Sequence, residues 1–163
     1  MPTVYMMIGV PCSGKSTYVK KNLLKPYTTV LSTDDVIEKL ADMAESTYSE
    51  CFEWAIKPAS KVLNLKRDHA IANIRNVVYD QTCLTVNSRQ SKLLPYPVRE
   101  HNGYRKVAVF IVPPSLVVLL ERNEERRKVG KFLPPHLIEN MLEDMEAPAL
   151  EEGFDEIIRV EAV

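Results

Sequence analysis

Residues 9 to 16, Gly9-Val10-Pro11-Cys12-Ser13-Gly14-Lys15-Ser16, match the pattern G-x-x-x-x-G-K-[ST]. Those residue types at that spacing can hold a polyphosphate. Gly9 and Gly14 let the backbone curl so that successive N–H groups point inward at an anion. A helix starting near Lys15 would add its positive end. Lys15 is then placed to reach the β and γ oxygens of ATP, and Ser16 to offer a hydroxyl to Mg²⁺. Pro11, Cys12, Ser13 and Thr17 complete the nucleotide-binding stretch. The competing reading is a tight turn that holds these residues by coincidence; average composition puts a chance match in a chain this long at under about 1%.

Three carboxylates stand at the ends of short apolar runs. Asp34 and Asp35 close Thr28 to Ser32 beside the phosphate loop, and Asp80 closes Asn76 to Tyr79. A carboxylate there can take the proton of an incoming hydroxyl in line with the γ-phosphate, or hold a magnesium-bound water. Asp34 is the candidate base, and Asp35, Asp80 and Ser16 are the candidate metal contacts. The acidic pair would equally suit the cap of a following helix, and the two roles are compatible. A GTPase would carry N-K-x-D, which the chain lacks. A motor-type ATPase would end a strand in Asp-Glu to prime a water, whereas Val77-Val78-Tyr79 ends in Asp80-Gln81. Transfer to a hydroxyl is therefore favoured over hydrolysis.

Phosphoryl transfer also needs positive charge on the far side of the γ-phosphate. Arg122 and Arg126 lie four apart and share a helical face. Gly130 can end that helix and act as a hinge before Pro134. Residues 122–133 thus read either as a lid over ATP or as a solvated face whose arginines pair with Glu121, Glu124 and Glu125.

The elements that must position these groups alternate between short apolar runs and longer helical patterns, the mark of a parallel α/β sheet. Strands are expected at Thr3 to Ile8, Thr28 to Ser32, Asn76 to Tyr79, Arg105 to Val112 and Ile157 to Val160. Helices are expected at Ser16 to Leu24, Asp34 to about Glu45, Ser46 or Thr47 to about Asn73, Asn87 to Leu94, Ser115 to about Arg127, and Pro134 to about Met145. Pro58 should kink or divide the long third helix. The fold is a three-layer α/β/α sandwich with about five parallel strands, its ligand site beyond their carboxyl ends.

The chain has 163 residues, 45% apolar and 26% charged, with net charge −1. That length suits a single domain. The near-neutral charge disfavours a protein that merely coats nucleic acid, so any such contact would come from a local patch. Cys12, Cys51 and Cys83 form no CxxC pair, and they read as free thiols in a reducing cytoplasm. No apolar run is long enough for a membrane span and no leader pattern appears. Tyr48, Glu50, Trp54 and Lys57 lie on or near the long helix that would flank an acceptor groove; Trp54 could stack on a base there, but reads first as core. Lys61, Lys66, Arg67 and Arg75 would supply a local basic surface, or be solvated. His69, His101 and His136 have no partner pattern.

Taken together, GVPCSGKST (Gly9 to Thr17), STDD (Ser32 to Asp35), ERNEERR (Glu121 to Arg127) and the late PPHLIENM stretch (Pro134 to Met141) make the chain resemble the phage polynucleotide kinase family, from about Val4 to Ile158. The resemblance implies a kinase using ATP and Mg²⁺ on a nucleic acid or nucleotide acceptor, DNA ahead of RNA. It puts the general base on Asp34, with Asp35 in support, and the transition-state arginine on Arg126. Arg122 becomes a neighbouring nucleotide contact, and Asp80 a residue near the acceptor or metal. The family's 5′-end kinases carry an arginine soon after the acidic pair, where this chain has Val36-Ile37-Glu38, and the D-x-D-x-T phosphatase motif is absent. The first departure opens a second acceptor, the hydroxymethyl group of 5-hydroxymethyluracil in DNA. A small-metabolite kinase and a non-catalytic ATP-binding module are the further alternatives.

Overall fold

β-Branched and apolar residues at alternating positions build the strands, and period-2 alternation sorts them onto two faces. In β1 (Thr3–Ile8), Val4, Met6 and Ile8 pack into one cluster while Met7 packs into the other. The structure, a computed structural model, describes residues 1–98 and 103–161; His101 lies outside them.

Five strands, β1, β2 (Thr28–Leu31), β3 (Asn76–Tyr79), β4 (Arg105–Val112) and β5 (Glu156–Glu161), form one sheet in the order β2-β3-β1-β4-β5. Every pairing is parallel, with Val4 opposite Val77 and Lys106, and Val30 opposite Val78. The expected strands are all present, within a residue or so at each end. One placement is corrected: β2 is not the neighbour of β1, because β3 lies between them. Asp80, at the end of β3, is therefore the carboxylate next to the phosphate loop along the sheet edge, and Asp34 reaches the site from one strand further out.

Helices cover both faces. α1 (Lys15–Tyr18) is a single turn that widens into a π-helical stretch, Val19–Leu23, where one uniform helix was expected. Val19 and Leu23 bury against Met7, Val78, Val107 and Val109. α2 (Thr33–Met43), α3 (Tyr48–Ala72) and α4 (Val86–Leu93) belong to the opposite layer, whose core joins Ile37, Ala55, Ala59 and Leu63 to Leu31 and Tyr79. α3 runs through Pro58 without dividing. A proline cannot donate to the carbonyl four residues back, and here that carbonyl belongs to Trp54 on the solvent side. Trp54 itself is 52% exposed, so the expectation that it packs in the core is overturned. The inward positions of α3 are taken by Cys51, Ala55, Ala59 and Leu63, and small residues there let the helix lie close on the sheet.

α5 (Leu116–Arg127) and α6 (Pro135–Asp144) close over the phosphate loop through a third cluster of Val10, Leu119 and Ile138. Side-chain caps fix several helix starts, with Ser32, Thr47, Thr85 and Ser115 each accepting from a backbone N–H of the first turn. The cap of α2 is Ser32, and Asp34 and Asp35 occupy its first turn. Among the described residues no helix is long and apolar enough to cross a membrane.

A largely buried charge pair ties α4 to the segment before β5. Arg89 is 0% exposed. It donates to both carboxylate oxygens of Glu152 at 2.6 and 2.8 Å and to the carbonyls of Cys83, Leu84 and Glu146. Sequence reasoning gave no hint of this, since the partners are far apart in the chain.

Candidate active site

Strand β1 is buried on both faces and delivers the chain into the phosphate loop at Gly9. A Cβ at Gly9 would lie 2.9 Å from Ser13 Oγ and 3.3 Å from Ile111 Cβ, so the close approach excludes a side chain there. Cys12 and Gly14 take positive φ, 66° and 102°. Those conformations turn successive backbone N–H groups toward one point, as an anion nest requires. Gly14 then caps α1 without a side-chain hydrogen bond, which leaves the first N–H groups of the helix for a ligand. Two further features fit a phosphate. Ser13 Oγ is buried and has no hydrogen-bond partner among the described residues. Lys15 is 9% exposed, and its Nζ donates to Val10 O at 2.8 Å. Burial lowers its pKa to about 8, against the pull of Asp80 and Asp34. An orphaned hydroxyl and an under-paired ammonium are groups that a polyphosphate would satisfy.

Asp34 sits in the same cleft, half-buried. Tyr48 Oη donates to its Oδ1 at 2.7 Å, and Lys131 Nζ lies 3.1 Å from its Oδ2. Burial would raise the Asp34 pKa, but the Lys131 charge, the hydrogen bonds from Tyr48 and Lys131, and Arg126 together bring it below the usual carboxylate range. Asp80 behaves in the opposite way. Burial pushes it up, with Asp35 and Asp34 adding to the rise, against a hydrogen bond from Ser16 and the Lys15 charge. Asp35 is exposed.

No group of three His, Cys, Asp or Glu side chains converges on one point among the described residues. Mg²⁺ keeps several waters and takes one or two carboxylates together with substrate phosphates. The Ser16 hydroxyl and Asp80, near enough for Ser16 to lower the Asp80 pKa, would hold it, with Asp35 close enough to act on Asp80 through its charge.

Within the stretch expected as a lid or a solvated face, some side chains face the phosphate loop and others face solvent. Arg122 Nη1 donates to Cys12 O at 3.1 Å and Arg126 Nη1 lies 3.2 Å from Cys12 Sγ, so both guanidinium groups face the phosphate loop. Glu124 and Glu125 pair instead with Arg127 and Lys128, on the exposed side. The cleft has a volume of about 1160 Å³ and continues past the phosphate loop along α3. Phe52, Ile56, Asn64 and Arg67 of α3 line this extension, with Tyr79 of β3 and Lys92 of α4. Tyr48 and Phe52 are in ring contact at 5.8 Å. Glu50 is a cap partner of Thr47 rather than a groove residue. Lys57, Lys61, Lys66, His69 and His136 are exposed, and Arg75 donates to Thr29 Oγ1. Sequence reasoning placed Tyr48 and Lys131 near the site but missed their contacts with Asp34. No periodicity links position 34 to 48 or 131.

A parallel sheet with a phosphate loop after its first strand, carboxylates after the next two sheet positions and arginines folded over the loop defines a P-loop kinase-like nucleotide-binding fold. The chain belongs to the AAA domain family, whose model matches residues 4–148. Among solved structures it is similar to a candidate kinase from Chloroflexus aurantiacus, with a TM-score of 0.72 at 17% identity over 98% of this chain and 88% of that one. It is also similar to a chain of the Pnkp1/Rnl/Hen1 RNA repair complex, with a TM-score of 0.65 at 21% identity over 88% of this chain and 43% of that one. A gluconokinase from Sinorhizobium meliloti matches with a TM-score of 0.55 at 22% identity over 99% of this chain and 83% of that one. At these identities the likeness is one of fold.

Proposed function

We propose that the protein is a kinase that moves the γ-phosphoryl group of ATP, with Mg²⁺, onto a hydroxyl of a nucleic acid, in the manner of a polynucleotide 5′-hydroxyl kinase. The observation that carries this reading is the meeting of three features in one cleft: an anion nest with an orphaned hydroxyl, a hydrogen-bonded carboxylate at Asp34, and Arg122 and Arg126 facing the loop. Lys15 and the loop amides hold the β- and γ-phosphates, whose charge Mg²⁺ would help to neutralise when bound at Ser16 and Asp80. Asp34 accepts the proton as the acceptor oxygen bonds to the γ-phosphorus. The bond from that phosphorus to the bridging oxygen breaks, its electron pair leaving with ADP. Arg126 offsets charge on the transferring group and Arg122 grips the nucleotide. Residues 1–163 act as one kinase domain in the cytoplasm, with a lid at about 122–133.

The extension of the cleft favours a nucleic acid. The Tyr48 and Phe52 rings suit stacking on a base, and Arg67 and Lys92 suit backbone phosphates. The likeness to a chain of an RNA repair complex agrees with that acceptor class. The test is transfer of label from γ-labelled ATP to matched DNA and RNA oligonucleotides with a free 5′-hydroxyl. A 5′-blocked DNA containing 5-hydroxymethyluracil, and gluconate as a small metabolite, run in parallel. Label on a free 5′ end supports the reading. Label confined to the modified base or to the metabolite replaces it with that acceptor, and ATP consumption that no hydroxyl stimulates replaces it with an ATP-binding module.

A further inference from the structure

Both oxygens of Asp34 are held, and they are held from two different elements. Tyr48, the first residue of α3, takes Oδ1, and Lys131, in the loop between α5 and α6, takes Oδ2. The terminal torsion of an aspartate is broad, so a lone carboxylate would rotate freely in a cleft. Two anchors on opposite oxygens fix its plane. Each oxygen has two lone-pair directions, so each keeps one for an acceptor hydroxyl.

The lysine is itself anchored. Lys131 Nζ donates to Glu38 Oε1 at 2.5 Å and stands 4.8 Å from the centre of the Tyr48 ring. Its chain neighbours are pinned to the start of α3. Ser49 N and Oγ both donate to Gly130 O, at 3.2 and 3.0 Å, and Phe132 N donates to Ser49 Oγ at 3.3 Å. Gly130 has φ +71°, and a Cβ there would come within 2.8 Å of Thr47 Cβ. The loop can therefore approach α3 this closely only with glycine at that position. The other ion pairs of this region differ in kind. The side chains of Glu124, Arg127, Glu125 and Lys128 are 55–70% exposed, against 17% for Lys131. Exposed pairs of that sort contribute little, whereas Lys131 is withdrawn into the cleft beside the candidate base.

We propose that Tyr48 and Lys131, the latter held by Glu38, are positioning residues that orient the Asp34 carboxylate toward the acceptor hydroxyl. This rests on Asp34 being the base, and the test separates the two. Rates are measured with γ-labelled ATP and a 5′-hydroxyl oligonucleotide, or as hydrolysis to water if that oligonucleotide is not labelled. Tyr48→Phe and Lys131→Ala are expected to lower kcat by about 10- to 100-fold, the scale set by misplacing a reacting group, with KM for ATP within about twofold of wild type. Lys131→Arg, which keeps a cation, should recover part of the loss, and Glu38→Gln should show a smaller one. In an Asp34→Asn background neither Tyr48→Phe nor Lys131→Ala should lower the residual rate further, because groups acting as one unit are non-additive.

Wild-type kcat in both single variants, with Asp34→Asn inactive, overturns the positioning role and leaves the base in place. A further loss from Lys131→Ala in the Asp34→Asn background also overturns it, and assigns the lysine to the phosphoryl group. Full activity in Asp34→Asn removes the base assignment and this inference with it.

Discussion

Replacing the phosphate-loop lysine should make the protein more stable while abolishing its nucleotide binding. Lys15 is 9% exposed and its Nζ donates to Val10 O. Burial has brought its pKa from 10.5 to about 8. At about 1.4 kcal/mol per pH unit, holding that ammonium charged in the folded state costs roughly 3 kcal/mol at neutral pH. Lys15→Met keeps the length and removes the charge. It removes the Lys15 hydrogen bond to Val10 O, which keeps the longer one from Ser13 N; losing it offsets about 1 kcal/mol, so a net gain of roughly 2 kcal/mol is expected at pH 7. The sign of the pH dependence follows from linkage. Below about pH 8 the lysine is protonated in both states and the cost is complete. Between about 8 and 10.5 the unfolded chain holds a proton that the folded one has lost, so wild-type stability rises with pH through that window. The Lys15→Met advantage should therefore shrink between pH 7 and pH 10. Urea unfolding followed by far-ultraviolet circular dichroism at both values measures it. ATP with Mg²⁺ at a hundredfold excess over its Kd should stabilise wild type by about 2.7 kcal/mol and leave Lys15→Met unchanged. A variant less stable than wild type at pH 7, or an advantage equal at both pH values, would refute the argument.

Three other perturbations test separate parts of the structure. Arg89→Leu removes the charge partner of Glu152 and a donor from the carbonyls of Cys83, Leu84 and Glu146, and urea titration should show a loss of about 3–5 kcal/mol. Gly130→Ala forces a side chain into positive φ and against Thr47. It should cost about 1–3 kcal/mol and lower kcat by releasing Lys131 from Asp34, read by unfolding and by label transfer on the same samples. Because the Asp34 pKa is depressed in the folded state, its stabilising contribution is present above the unfolded value of 3.8 and is lost as pH falls through the folded one. An acid titration of stability should therefore flatten in that range in Lys131→Ala, where the largest opposing charge is gone.

The phosphate loop was legible in the chain because its chemistry is local: glycines, a lysine and a serine at fixed spacing between a strand and a helix act within one turn of backbone. The five strands were legible for a similar reason, since an apolar run such as Arg105–Val112 must be buried on both faces wherever it lands. The capped start at Thr47 also follows from neighbours a few residues apart, whereas α2 is capped by Ser32 and not by the acidic pair that the sequence offered. Trp54 was misread because helical spacing cannot tell a wide apolar stripe from its edge, and the alanines and Cys51 of α3 took the buried positions. Only the tertiary structure decided that β3 lies between β2 and β1, which makes Asp80 the nearer carboxylate to the loop. It alone joined Asp34 to Tyr48 and Lys131, divided the basic stretch between cleft and solvent, and buried Arg89 on Glu152. Those contacts span up to 110 residues of chain. No local pattern encodes them, because charge and hydrogen-bond partners are chosen by which surfaces the packed helices bring together.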